Sequence, residues 1–180
     1  MVHLLTGGVN TGKTSLLERV LASLGPARQR IDGFINRKVF QEGEFFGYDL
    51  VNLQTGSIVP FIRMTTPEKQ EKGGRFYFIP EGLEKAVKII LGHHLSNYLV
   101  VDEVGPLELA GRGLWPALSQ QLRRAGFKGL IVIRSGLVPV FYQLLEGLEI
   151  RRFDIANPAV ELELRIAISN VFQRVPSETN

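Results

Sequence analysis

A glycine-rich stretch near the start of the chain has the residue types and spacing of a phosphate-binding loop. The segment Gly7-Gly8-Val9-Asn10-Thr11-Gly12-Lys13-Thr14 fits the pattern Gly-x-x-x-x-Gly-Lys-Ser/Thr at every position. Glycines let the backbone curve around a pyrophosphate, so that successive N–H groups point at the anion. Lys13 would bring a positive charge to the β- and γ-phosphates, and the Thr14 hydroxyl would coordinate Mg²⁺. We therefore predict that this loop and the adjoining Ser15 bind a nucleotide, with Lys13 also acting in catalysis.

Two adjacent carboxylates follow an apolar run in the second half of the chain. The run Tyr98-Leu99-Val100-Val101 has the composition of a strand buried on both faces of a parallel sheet, and Asp102 and Glu103 come directly after it. Because ligands bind outside the carboxyl ends of strands in open α/β sheets, Asp102 should reach the same edge as the loop and hold Mg²⁺, directly or through water. Glu103 is the candidate for orienting and deprotonating an attacking water. Considered without the glycine-rich loop motif, the two carboxylates could instead form a polar turn at the end of an apolar strand.

Transfer of a γ-phosphate requires further positive charge, often from an arginine. Arg134 follows the apolar run Leu130-Ile131-Val132-Ile133 and should therefore emerge at the same sheet edge as Asp102. Arg75 lies in a glycine-flanked basic segment that could act as a lid, and Arg63 follows a strand-rich stretch. Arg134 is the catalytic candidate. The competing interpretation of each arginine is a solvated surface residue.

Three other features have competing interpretations. Asn157 follows the last predicted strand and could contact a base, or it could be the N-cap of the final helix with Pro158 at its first position. His93 and His94 are adjacent and are predicted to finish a helix near its negative end. The aromatic run Phe76-Tyr77-Phe78 is predicted to be strand core, with base contact as the alternative.

The elements that must position these residues alternate between strand and helix. Apolar runs predict strands near residues 2–6, 98–101, 130–133 and 149–153, and helical spacing predicts helices near 14–24, 81–91, 114–122, 138–145 and 159–172. The alternation predicts an α/β fold of the P-loop NTPase type, with a mostly parallel sheet flanked by helices. Residues 31–63 are rich in Phe, Tyr, Val and Ile and are interrupted by turn residues, which predicts an antiparallel strand-rich insertion.

Composition excludes several classes of chemistry. The 180 residues suit a single domain spanning 1–180, and a hydrophobic content of 44% with 22% charged residues is typical of a globular chain. No cysteine is present, which excludes disulfides, thiolate metal sites and cysteine nucleophiles. A formal charge of +3 is too small to indicate a nucleic-acid partner. With no signal-peptide pattern and no membrane-length apolar run, we expect a cytoplasmic protein that does not enter a membrane.

The sequence resembles the small P-loop nucleoside-triphosphatases first recognised in thermophiles and also found in animals. The resemblance spans almost the whole chain and is carried by four stretches: Leu4 to Thr14; Gly33-Phe34 with Phe46-Gly47-Tyr48-Asp49-Leu50; Val100 to Leu109; and Asn157. The stretch around Asp102-Glu103 is the most specific. The resemblance implies slow, Mg²⁺-dependent hydrolysis of nucleoside triphosphates to diphosphate and phosphate, with broad base tolerance. Related families of this architecture include nucleotide kinases.

The chain departs from the family pattern at three positions. The family usually carries a lysine at the position of Pro106, an arginine at that of Phe40 within Lys38-Val39-Phe40, and an arginine at that of Phe45. If these cations help to hold the phosphates, this chain has lost or relocated part of the set.

The residues and the resemblance together predict a Mg²⁺-dependent enzyme that hydrolyses ATP, GTP and other nucleoside triphosphates. Two alternatives stay open: a kinase for a small molecule or nucleotide, and a nucleotide-gated binding module with weak hydrolysis. The expected partner is the nucleoside triphosphate; a nucleic acid is not expected, and the sequence identifies no protein partner.

Overall fold

The computed structural model describes residues 1–64 and 76–173. Its strands are β1 (Val2–Gly7), β2 (Ile31–Gln41), β3 (Glu44–Asn52), β4 (Ile58–Met64), β5 (Phe76–Phe78), β6 (Tyr98–Val104), β7 (Gly129–Arg134) and β8 (Ile150–Asp154). Within these residues they form an eight-stranded sheet in the order β5-β4-β3-β2-β6-β7-β1-β8.

The central part of the sheet is parallel, as the apolar runs predicted. β1 pairs with β7 and β8, and β6 pairs with β7 and β2, all in parallel. β1 is buried along its whole length, and β6 and β7 are buried over most of theirs. Since parallel strands share a direction, their carboxyl ends place Gly7, Asp102 and Arg134 at one edge of the sheet.

β2 belongs to both parts of the sheet and joins the predicted antiparallel strand-rich insertion directly to the parallel strands. Its first residues, Ile31 to Phe34, pair in parallel with β6, and the strand continues into an antiparallel pairing with β3. Gly33 makes this possible, because its φ is 110° and a Cβ there would lie 1.9 Å from the carbonyl oxygen of Val100. The antiparallel order then continues through β3, β4 and β5. The sheet is therefore continuous from the parallel strands into the strand-rich segment.

Helices cover both faces of the sheet. They are α1 (Lys13–Ala22), α2 (Pro80–Leu91), α3 (Pro106–Leu109), α4 (Trp115–Leu122), α5 (Val138–Leu144) and α6 (Val160–Gln173). One apolar cluster joins α1 and α6 to the sheet, with Leu17 and Leu164 fully buried. A second joins α2, α4 and α5 to the sheet, with Ile90 and Phe141 fully buried. The predicted layered α/β architecture is confirmed.

The final helix begins at Val160, close to the predicted 159–172, although Pro158 lies in the turn before it. The Asn157 side-chain oxygen accepts the Ala159 N–H at 3.0 Å, the kind of contact that an N-cap residue makes. Two other local predictions need correction. The aromatic run is an edge strand and not core, with Phe76 and Tyr77 45% and 43% exposed. His93 lies beyond the end of α2, where its buried ring is 2.8 Å from a carboxylate oxygen of Asp32.

Within residues 1–64 and 76–173, every helix is too short or too polar to traverse a lipid bilayer.

Candidate active site

The glycine-rich loop connects the end of β1 to the first residue of α1. Gly12 has a φ of 88°, a left-handed conformation that favours glycine, and its carbonyl accepts the first helical hydrogen bond from the Leu16 N–H at 2.9 Å. Asn10 is also left-handed, with a φ of 57°, which asparagine tolerates better than most residues. The Thr11 hydroxyl donates to the Gly8 carbonyl at 3.0 Å. The loop is thus held in a tight curve that ends at a helix N-terminus, where backbone N–H groups and the helix dipole attract anions.

The Lys13 side chain is turned back into this curve. Its ammonium donates to the Gly8 carbonyl at 2.5 Å and to the Gly7 carbonyl at 3.4 Å. Burial lowers the pKa of Lys13, and the nearby Glu103 and Asp102 carboxylates oppose that shift. An ammonium held by neutral carbonyls keeps its positive charge available for a phosphate that enters the loop.

Asp102 makes the contact that links the loop to β6. Its Oδ2 atom accepts a hydrogen bond from the Thr14 hydroxyl at 3.0 Å and another from the Asn36 N–H at 2.9 Å. Burial raises the pKa of Asp102 to about 7 despite these two donors. The two residues that we predicted as metal ligands therefore touch each other at the base of the loop.

Two buried oxygens beside this contact lack a hydrogen-bond donor among the described residues. They are Asp102 Oδ1 and Asn36 Oδ1, while the Asn36 side-chain N–H group donates to the main-chain carbonyl of Asp102 at 2.6 Å. Unpaired buried oxygens are costly, and hydroxyl, carboxylate and amide oxygens are the ligands that Mg²⁺ prefers. The donor set around Thr14 and Asp102 therefore fits a magnesium ion.

Glu103 lies at a distortion of the sheet edge. The pairing of β6 with β7 is irregular between Val101 and Val104, and Glu103 has a φ of 63°, which is uncommon for a residue other than glycine. Its Oε1 atom accepts a hydrogen bond from Arg134 Nε at 2.8 Å. Successive side chains of a regular strand point to opposite faces, whereas at this irregular stretch Asp102 and Glu103 both line the same cleft.

A cleft of about 470 Å³ opens above these residues, a volume within the usual range for a small-molecule site. It is lined by Val9, Asn10, Thr11, Gly12, Lys13, Thr14, Ser15, Glu18, Asn36, Arg37, Lys38, Tyr48, Asp102 and Glu103. The predicted loop, Ser15, Asp102 and Glu103 are thus brought together in one cleft, with Gly7 and Gly8 at the base of the loop.

Other predicted residues lie elsewhere. Arg134 reaches the expected edge but lines a neighbouring pocket on the far side of Glu103 rather than this cleft. Asn157 is exposed in the turn before α6 and is not among the residues lining the cleft. Arg63 is bound to Asp49 at 2.6 Å. Arg75 lies outside the described residues.

Asn36, Lys38 and Tyr48 line the cleft but were not predicted. The sequence could have indicated Asn36, because this polar residue directly follows the apolar Phe34 and Ile35 on a strand that pairs with β6. Lys38 follows Asn36 by two residues and so shares its face of β2. Tyr48 lies opposite Lys38 in β3, a relationship that only the strand register reveals.

The fold and the site define an α/β protein of the P-loop NTPase class. A protein-family model described as NTPase matches residues 3–159, and the chain therefore belongs to this family of nucleoside-triphosphate phosphohydrolases. The chain is 30% identical over 146 residues to the mouse protein named cancer-related nucleoside-triphosphatase homolog, covering 76% of this chain and 74% of that one. It is 32% identical over 108 residues to nucleoside-triphosphatase THEP1 of Archaeoglobus fulgidus, covering 60% and 62% of the two chains. The solution structure of a human cancer-related nucleoside triphosphatase has the same fold, with a TM-score of 0.71 at 23% identity over 96% of this chain and 97% of that one.

Proposed function

We propose that the protein hydrolyses nucleoside triphosphates, ATP and GTP among them, to nucleoside diphosphate and phosphate in a Mg²⁺-dependent reaction. The observation that carries this proposal is the contact of 3.0 Å between the Thr14 hydroxyl and Asp102, directly below the loop that ends in Lys13. A hydroxyl from a phosphate loop next to a strand-end carboxylate is the pairing that holds the metal in P-loop enzymes.

In this proposal the chain's own residues bind, orient and accept a proton. Backbone N–H groups of the loop and the Lys13 ammonium hold the phosphates. Thr14 and Asp102 would hold Mg²⁺, which when bound neutralises phosphate charge. Glu103 orients a water molecule and takes its proton as the water oxygen bonds to the γ-phosphorus and the diphosphate leaves.

Broad base tolerance is part of the proposal. Asn157, for which a base contact and an N-cap role were both open, is exposed, and its side-chain oxygen already accepts the Ala159 N–H. A side chain occupied in a turn gives little discrimination among bases.

The test is phosphate release across ATP, GTP, CTP and UTP, each with Mg²⁺ and with a chelator, using the purified chain and its Lys13→Ala variant. We expect release with all four nucleotides, a requirement for Mg²⁺, and no release above background in the variant. Equal release with and without the metal would contradict the magnesium dependence, and undiminished release by Lys13→Ala would contradict the site.

A second candidate function is phosphoryl transfer to a small acceptor, and the pocket beyond Glu103 favours it. This pocket of about 310 Å³ shares Asn36, Tyr48 and Glu103 with the cleft, and its far wall is aromatic and apolar. The rest of its lining includes Phe61, Ile62, Phe76, Tyr77, Phe78, Leu107, Leu114 and Arg134. An acceptor hydroxyl there would face Glu103 from the side opposite the loop. Incubation of γ-labelled ATP with a panel of small hydroxylated molecules separates the two functions, since label found only in free phosphate eliminates the kinase.

A further inference from the structure

Lys38 is presented at the mouth of the phosphate cleft by a contact with the loop itself. Its ammonium donates to the side-chain oxygen of Asn10 at 2.9 Å. Asn10 lies within the glycine-rich loop, and Lys38 lies on β2 on the same face as Asn36, the residue that contacts Asp102. The antiparallel extension of the sheet therefore delivers a cation to the site that the loop and β6 form.

The charge of Lys38 is not neutralised by its partner. Of the described residues that line the cleft, Lys13, Arg37 and Lys38 are the cationic ones. Lys13 is held at the base of the loop, and Arg37 lines the cleft from the position next to Lys38 on β2. Arg134, the cation that we expected at the phosphates, is bound to the Glu103 carboxylate outside the cleft lining. Lys38 contacts a neutral amide and so keeps a full positive charge directed at the loop.

The strand does not supply a cation at the positions where the resemblance led us to expect one. Phe40 and Phe45 face each other across the hairpin of β2 and β3, with their ring centroids 6.0 Å apart in an edge-to-face arrangement. Phe40 is 59% exposed, beyond the residues that line the cleft. Among the described residues of this hairpin, Arg37 and Lys38 both line the cleft, and Lys38, two positions before Phe40, is the one that donates a hydrogen bond to the loop.

We propose that Lys38 is a catalytic residue that contacts the γ-phosphate, and that Asn10 is the positioning residue that holds its ammonium over the loop. This inference rests on the proposed hydrolysis and names a residue that supplies positive charge to that reaction. Negative charge on the γ-phosphoryl oxygens and the leaving oxygen must be stabilised as the bond to the diphosphate breaks. The Lys38 ammonium, carried by β2, can stabilise this negative charge without an arginine supplied by a partner protein.

The experiment compares kcat with the Kd for a non-hydrolysable ATP analogue in Lys38→Ala, Lys38→Arg, Asn10→Ala and the Lys38→Ala/Asn10→Ala double variant. Lys88→Ala is the matched control, because Lys88 is an exposed lysine on α2 paired with Glu84. We expect Lys38→Ala to lower kcat by about 10- to 100-fold, below the range for a buried oxyanion donor because Lys38 is exposed, and to change the Kd less than threefold. Lys38→Arg should keep most of the activity. Asn10→Ala should have a smaller effect than Lys38→Ala, and the double variant should match Lys38→Ala.

Chemical rescue gives a readout that a purely structural role would not change. In Lys38→Ala the Asn10 oxygen remains to hold a small cation, so ammonium chloride should raise kcat above the value in tetramethylammonium chloride at equal ionic strength. The double variant should show no such rescue.

Two results would overturn the inference while leaving the proposed function intact: a Lys38→Ala variant that hydrolyses ATP as fast as the unaltered chain, or an Arg37→Ala variant that loses as much kcat as Lys38→Ala. A chain without any nucleotide hydrolysis overturns the proposed function and this inference together.

Discussion

Arg134 and Glu103 form an ion pair across two neighbouring parallel strands, with Arg134 Nε 2.8 Å from Glu103 Oε1. The pair separates the phosphate cleft from the aromatic pocket, since Glu103 lines both and Arg134 lines only the second. Its side chains are 36% and 25% exposed, so the Coulomb attraction is screened and contributes about 1 kcal/mol or less to stability. The pair is therefore better explained as a way of fixing the direction of the Glu103 carboxylate than as a support for the fold.

Replacing Glu103 by glutamine should separate binding from hydrolysis. The amide keeps the size of the side chain but cannot accept the proton of an attacking water, so we expect kcat to fall by about 10²- to 10⁴-fold. The Kd for ATP should stay within about threefold, because in the proposed mechanism the loop N–H groups and Lys13, not Glu103, hold the phosphates. Single-turnover phosphate release and equilibrium binding measure the two quantities, with Glu84→Gln as the control on an exposed helix. Unchanged phosphate release would remove Glu103 from the mechanism.

Replacing Arg134 by glutamine tests which group the guanidinium serves. If it orients Glu103, kcat should fall by about tenfold while the Kd for ATP stays unchanged, because Arg134 does not line the phosphate cleft. Arg19→Gln is the control, since Arg19 on α1 forms an ion pair with Glu161 on α6 and does not line the cleft. A loss of ATP affinity as large as the loss of kcat would instead support the sequence-based expectation that Arg134 contacts the phosphates.

Replacing Asn36 by alanine should impair both stability and turnover. The change leaves the buried main-chain carbonyl of Asp102 without its donor at 2.6 Å, which costs about 1–3 kcal/mol of unfolding free energy. It also loosens the backbone that carries Glu103 at a positive φ, so kcat per folded molecule should fall. Gln121→Ala is the matched control, because Gln121 is buried and donates to the Leu91 carbonyl far from the cleft. Denaturant unfolding and phosphate release check the two effects, and equal kcat in both variants would reject the positioning role.

The loop and the acidic pair could be predicted because each is contiguous in the chain. The loop motif depends only on local spacing, and Asp102-Glu103 is marked by the apolar strand immediately before it. The contacts Asn36–Asp102 and Lys38–Asn10 join residues far apart in sequence, and they depend on which strand lies beside β6 and in what register. Composition and periodicity do not determine strand order, so these contacts needed the structure.

The role of β2 illustrates the same limit for the fold. Its aromatic and β-branched residues correctly predicted a strand in an antiparallel meander, yet its first four residues also complete the parallel sheet. What permits the dual pairing is the close approach of Gly33 to Val100, a contact between strands that no local pattern encodes. Asn157 shows the reverse case, because its side-chain oxygen accepts a hydrogen bond from the nearby Ala159 N–H, a local contact that sequence alone could suggest.

His3 connects the stability of the fold to pH. It lies in β1 with its Nδ1 atom 2.6 Å from the hydroxyl of the fully buried Tyr98 and its ring against Phe153. Burial is the main reason that the pKa of His3 falls from 6.5 to about 4, and the positive charges of Arg151 and the N-terminus act in the same direction. The folded chain therefore excludes a proton that the unfolded chain binds between these two values.

The contribution of His3 to stability should consequently be full above pH 6.5 and should decline as the pH falls toward 4, because the unfolded chain binds a proton there that folded His3 excludes. Asp102 acts in the opposite sense over an overlapping window, because its pKa is raised to about 7 and its protonation favours the folded state as the pH falls. The difference between the two pKa values of His3 corresponds to about 3 kcal/mol of unfolding free energy.

Urea unfolding of the chain and of His3→Gln at intervals from pH 7 to pH 4 measures this contribution. The unfolding free energy of the chain minus that of the variant should fall by about this amount from pH 7 to pH 4, because glutamine does not titrate, while Asp102, His93 and His94 remain in both proteins. The pKa of Asp32 is lowered, because hydrogen bonds from His93 and Asn97 outweigh the opposing effect of burial, so its contribution is lost mainly below that window. Parallel profiles for the two proteins would show that His3 is not the group responsible.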